Sequence, residues 1–259
     1  MVSTLKGNRP RLAPSVDWRD PVIVAAAVCP HPPLLLDELG GRHDSVEQLR
    51  LACRRAIDDL LGHGLDGIVV VGGAESTRTA VPADRLNLRA YGTLAAPVAP
   101  LENGVGLPLS LGVADRLLAE AEWCGETERR AIAWNAGAEE CDHLGRELVR
   151  RGGRLGLLVM GDGSACRGTK APGHYDDRAH SFDERVAHAL EQGDCHALRG
   201  LDPEQAEQLL MQGRAALQVL GSAVHHTGAT PAATMHYLDD PFGVLYFVSS
   251  WSIMPSRRA

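Results

Sequence analysis

An unbroken apolar run, Val22 to Val28, leads directly into Cys29-Pro30-His31-Pro32-Pro33. The run is too short to be read as a long helix and carries β-branched residues at its start, so it reads as a strand buried on both faces. Each proline that follows fixes φ and lacks an N–H, so the ladder of a strand cannot continue through them. The chain must therefore turn at this point on stiffened backbone, with His31 held at the strand's exit.

Two further aliphatic runs share this pattern. Gly67-Ile68-Val69-Val70-Val71 reads as a short strand followed by Gly72-Gly73, and Leu155–Met160 runs into Gly161-Asp162-Gly163-Ser164. Helical periodicity lies between them. Ser45 to Leu61 places Val46, Leu49, Ala52, Cys53, Ala56, Ile57, Leu60 and Leu61 on one stripe, with Asp44 and Glu47 spaced as a capping box. Glu139 to Arg151 reads as a helix stopped by Gly152-Gly153. Asp202-Pro203 opens a late helix, with the aspartate as cap and the proline at its first position. Gly243 to Val248 reads as a final strand. Residues 80–112, rich in proline and glycine, read as short strands and loops. Aliphatic strands alternating with helices predict an α/β fold, with a mostly parallel or mixed central sheet flanked by helices. Residues 1–20 read as a loose leader, 21–252 as a single domain and 253–259 as a polar tail.

The overall balance narrows the function classes. With 26 Lys plus Arg against 33 Asp plus Glu, the net charge is −7, which favours neither nucleic acid nor an anionic membrane as partner. No apolar run approaches the length of a spanning helix. The six cysteines contain no CxxC pair, and a chain of this size needs no stapling, so free thiols in a reducing cytoplasm are expected. A homo-oligomer is compatible with the sequence, although no interface pattern argues for one.

Ligands of open parallel sheets bind beyond the carboxyl ends of the strands. Residues 29–33, 72–78 and 161–167 occupy that position, offering His31, Glu75, Ser76, Arg78, Asp162, Ser164, Cys166 and Arg167. Two readings of His31 stand open. It could hold a metal with Glu75 or Asp162, since imidazole and carboxylate together suit iron, manganese or zinc. It could instead bond within its proline turn while Glu75 and Arg78 form a polar rim. Gly161-Asp162-Gly163-Ser164 lacks the spacing and lysine of a phosphate loop and reads as a structural turn. Cys166 could meet His31 as a thiol–imidazole pair, or be an incidental buried thiol. His174 lies in a loop that could cover the site. His180 and His188 fit one helix, two turns apart, too distant to share an ion. His225-His226 reads as a solvated loop, although both rings could face a pocket. Trp123, Trp134 and Trp251 read as packing anchors.

Three segments together resemble a known family, the class III extradiol ring-cleavage dioxygenases of the subunit-B type, which include Memo-like relatives. Ala27-Val28-Cys29-Pro30-His31-Pro32-Pro33-Leu34-Leu35 is similar to that family's first strand and metal-binding histidine. Met160 to Arg167, continued through Ala171–Asp176 to Ser181-Phe182-Asp183, resembles its central block and following helix. Gly193-Asp194 and Leu201-Asp202-Pro203 resemble the spacer before its late helix. The resemblance implies Fe(II), or another divalent metal, held by two histidines and a carboxylate, with a further histidine handling protons and a small aromatic ligand. His31 matches the first metal histidine. At the second, this chain has Gly72-Gly73-Ala74-Glu75; at the proton-transfer histidine, Ala165-Cys166; and near the last ligand, Met211-Gln212, with Glu207 one turn away.

A diverged member of that fold is therefore expected. It would lack ordinary catechol ring cleavage and serve as a small-molecule binding or accessory protein. The alternative is a metal-dependent, dioxygenase-like oxidoreductase with a site rearranged around His31. The candidate metal ligands are His31 and Glu75, and the candidate catalytic groups are Asp162, Cys166 and His174, with His226 a further option in the rearranged site. No cofactor is assigned beyond that conditional metal.

Overall fold

The computed structural model describes residues 23–39, 44–88 and 106–254. Its elements run β1 (Ile23–Cys29), α1 (Asp44–Leu61), β2 (Gly67–Ala74), β3 (Arg78–Thr79), β4 (Arg85–Leu86), β5 (Gly106–Leu107), α2 (Leu109–Glu120) and β6 (Glu126–Ala133). They continue as α3 (Ala138–Val149), β7 (Leu155–Met160), α4 (Arg178–Gln192), α5 (Cys195–Arg199), α6 (Pro203–Gln208), α7 (Arg214–Thr227), β8 (Pro231–Asp239) and β9 (Tyr246–Ile253).

The central sheet has the order β3-β6-β2-β7-β1-β9-β8. Its middle is parallel, β6 to β2 to β7 to β1, and both margins are antiparallel, β3 on β6 and the β9–β8 hairpin on β1. It is a mixed α/β sheet flanked by helices.

The unbroken aliphatic runs follow from burial on both faces. Successive side chains of a strand point to opposite sides. Val28, Val69, Val71, Leu157 and Val159 enter one core, which is shared with α3, α4 and α7. Ala27, Cys29, Ile68, Val70, Leu158 and Met160 enter the other, against α1 and α2. Each buried leucine or valine contributes about 1.5–3 kcal/mol relative to exposure. The stripe of α1 is buried from Val46 to Leu60. Asp202 caps α6, accepting from Glu204 N and Gln205 N.

Several expectations are corrected. The second strand does not stop at Val71: β2 continues through Gly72-Gly73 to Ala74, where neighbouring segments crowd both glycines. A Cβ at Gly73 would stand 2.7 Å from Gln212 O and 2.7 Å from Trp134 Cδ1. The last strand is not Gly243–Val248 but Tyr246–Ile253, since Gly243, at φ 72°, belongs to the turn before it. Residue 253 is thus in the sheet and not in a tail. His225-His226 is not a loop but the last turn of α7, closed by Gly228 in the left-handed conformation. Trp251 is buried, but Trp134 is 37% exposed. The leader 1–20, the side chain of Asp44 in the capping box and residues 89–105 lie outside the described residues.

Candidate functional site

Cys29 pairs with Met160 across β1 and β7, so the residues two beyond each, His31 and Asp162, emerge side by side. The His31 backbone N–H donates to Asp162 Oδ1 at 2.8 Å, a bond no proline could supply at that position. Its imidazole Nδ1 lies 3.6 Å from the same oxygen. That separation is too long for a hydrogen bond, and Nδ1 is buried without a partner. Burial pushes the Asp162 carboxyl above the usual carboxylate range, against the pull of His31.

A cavity of about 920 Å³ opens at these strand ends. His31, Glu75 and Asp162, just beyond β1, β2 and β7, line it together with Glu207 of α6 and Gln212 after it. Much of the remaining wall is apolar, including Leu109, Ala165, Met211 and Val244. Leu210 stands on the wall with φ 53° and 48% exposure. That backbone region is strained for a branched side chain.

Trp134, Arg214 and Tyr246 are wall residues without a signal in the sequence. Trp134 and Arg214 reach the cavity because β6 and α7 end there, and neither element had a clear aliphatic or capping signal. Tyr246 opens β9 on the same wall. Its phenol is raised by burial first and by Asp162 second.

Other candidates lie elsewhere. Cys166 is buried, with Sγ 3.6 Å from the Gly173 carbonyl, and is not part of the cavity wall; burial raises its pKa, the wrong direction for a nucleophile. His174 is exposed and also off the wall, although Pro172 of the same loop is on it. His226 bonds Asp142 Oδ1 at 3.0 Å, near the opposite end of α7 from Arg214 and roughly 18 Å along the axis. Arg78 pairs with Asp84 and donates to the Gly106 carbonyl, so it forms no rim with Glu75. Ser164 and Arg167 turn to Asp183. Ser164 N and Oγ donate to it at 2.8 and 2.6 Å, and Arg167 Nη1 at 3.2 Å.

Among the described residues, no group of three or more His, Cys, Asp or Glu side chains is arranged to hold a metal ion. Among the described residues of the cavity wall, His31 is the one imidazole. This donor set does not fit an iron held by two histidines and a carboxylate. What the arrangement can do is enclose a mostly apolar molecule and present it with an imidazole, a buried carboxyl and a phenol.

No family model matches the chain, and no curated protein matches it. Among solved structures, the crystal structure of an uncharacterized protein, JW3007 from Escherichia coli K12, is similar. The likeness covers 88% of this chain and 99% of that chain, with a TM-score of 0.50 and 18% identity. It is a likeness of fold. Among the described residues, no helix is long and apolar enough to cross a membrane.

Proposed function

We propose that this chain is a small-molecule binding or accessory protein built on an extradiol-dioxygenase subunit-B type of fold, without ordinary Fe(II)-dependent catechol cleavage. One observation carries the reading. The cavity at the carboxyl ends of β1, β2 and β7 has the size of a ligand site, an apolar wall and a few convergent polar groups. The loss of ring cleavage rests on what replaces the resembling family's ligands. Gly72-Gly73 lies within β2, Ala165-Cys166 has no imidazole, and Met211-Gln212 brings no carboxylate.

The alternative, a metal-dependent oxidoreductase rearranged around His31, is favoured by the partnerless Nδ1 beside Asp162. Metal content separates the two. The binding reading is tested by ligand-observed NMR with a pool of small organic fragments, using the full chain and its Leu210→Trp variant. Leu210 is half exposed, so the added bulk obstructs the cavity without entering either core. Fragments that bind the parent and are lost in the variant support the reading, and a pool with no binder defeats it.

A further inference from the structure

Arg214 is 1% exposed, yet no carboxylate of the described residues pairs with it within ion-pair distance. Its Nη1 donates to the Ala136 carbonyl at 2.5 Å and to Gln218 Oε1 at 2.8 Å, and its Nη2 to the Trp134 carbonyl at 2.6 Å. Nε has no acceptor. All of these acceptors are neutral, so no carboxylate bonds the buried charge directly, and the exposed Glu207 acts on it only from a distance. Buried charges are ordinarily paired, because desolvation without a partner costs several kcal/mol.

The position of this charge matters. Arg214 lines the cavity and is the first residue of α7, a 14-residue helix whose N-cap, Gly213, brings no side-chain cap. The partial positive charge of the helix start therefore adds to the guanidinium. The acidic residues on the same wall do not cancel it. Glu75, Glu204 and Glu207 are exposed to water, where their field is screened, and burial pushes the Asp162 carboxyl above the usual carboxylate range, which favours its uncharged form.

We infer that the cavity takes a small organic carboxylate, its charged end toward the start of α7 and Arg214 and its apolar body along Leu109, Met211 and Val244. This assignment rests on the small-molecule reading above and narrows it to one ligand class. The guanidinium is held by its carbonyl acceptors, so it attracts the anion as a fixed, buried charge behind the wall, and the ligand forms its hydrogen bonds with the cavity's other polar groups.

The test is calorimetric titration of the full chain with benzoate against benzamide, and with hexanoate against hexanamide. Each acid is expected to bind about ten-fold or more tightly than its amide. Replacing Arg214 risks unfolding, so the second arm is Gln212→Glu, an exposed wall position just before the N-cap. Unlike the three glutamates, position 212 adjoins the N-cap in sequence, so its new carboxylate occupies the helix start directly and excludes the ligand's, and acid affinity falls about ten-fold while amide affinity holds. Acids that bind no better than amides, or that ignore Gln212→Glu, overturn the anion assignment and leave the small-molecule reading standing. If none of the four compounds binds, the anion assignment falls, and the fragment pool decides the small-molecule reading.

Discussion

The backbone N–H of His31 bonds Asp162 Oδ1 at 2.8 Å, while the imidazole Nδ1 of His31 stays 3.6 Å from that oxygen. One carboxylate thus fixes the turn after β1 and leaves the ring without a hydrogen-bonded partner at Nδ1. Asp162→Ala should strand a buried N–H and cost about 1–3 kcal/mol in denaturant unfolding. Asp162→Asn keeps an acceptor oxygen and should lose less. Equal losses would show that the N–H bond is not what holds the turn.

Gly213 tests whether the cavity wall depends on close backbone approach. A Cβ there would meet Asp162 O at 2.6 Å and Asp162 N at 2.7 Å. Its φ of −78° is ordinary for any residue, so only space forbids a side chain. Gly213→Ala is predicted to cost about 1–3 kcal/mol and to weaken fragment binding, because α7 must retreat from the Asp162 turn. Unchanged melting and binding would contradict that packing.

Asp183 is the buried hub behind the site, with no exposed side-chain surface. Asp183→Ala leaves Ser164 without its acceptor and removes one of two carboxylates from Arg167, whose other partner is Asp240. A loss of about 3–5 kcal/mol is expected, with Asp183→Asn intermediate because it still accepts from Ser164. Chemical denaturation of the two variants checks the order.

Asp142 ties α3 to α7. The Ser222 hydroxyl bonds it at 2.6 Å and His226 lies on the same oxygen, which together lower its pKa from 3.8 to about 2. A depressed acid contributes stability above its unfolded pKa and loses it as pH falls through the folded value. Asp142→Asn should therefore cost about 1–2 kcal/mol at neutral pH, allowing for partial solvent screening. The gap to the parent protein should narrow between about pH 4 and pH 2. A gap that stays constant over that window would place the carboxylate's contribution elsewhere.

The parallel centre of the sheet was legible because β1, β2 and β7 are buried on both faces and hence aliphatic throughout. β6 was not, since Glu126-Thr127-Glu128-Arg129-Arg130 carries charges that bond to side chains of α2 and α3. α7 was obscured by its start, where a buried arginine stands in place of an apolar residue. On the site, His31, Glu75 and Asp162 were found because strand ends can be located from sequence. Cys166 and His174 were misplaced because the direction of a side chain within a loop is set by tertiary bonds, such as Gly173 N to Ala165 O, and these leave no periodic trace. Trp134 reads as a packing residue in the sequence because exposure cannot be read from residue type.

The most direct measurement is made on protein purified anaerobically and supplied with Fe(II), comparing the parent with His31→Ala. Retained iron and catechol-dependent oxygen uptake are recorded for both. A wall with one imidazole predicts no stoichiometric iron and no oxygen uptake that depends on His31. One iron per chain, with catechol-dependent uptake abolished by His31→Ala, would contradict the account.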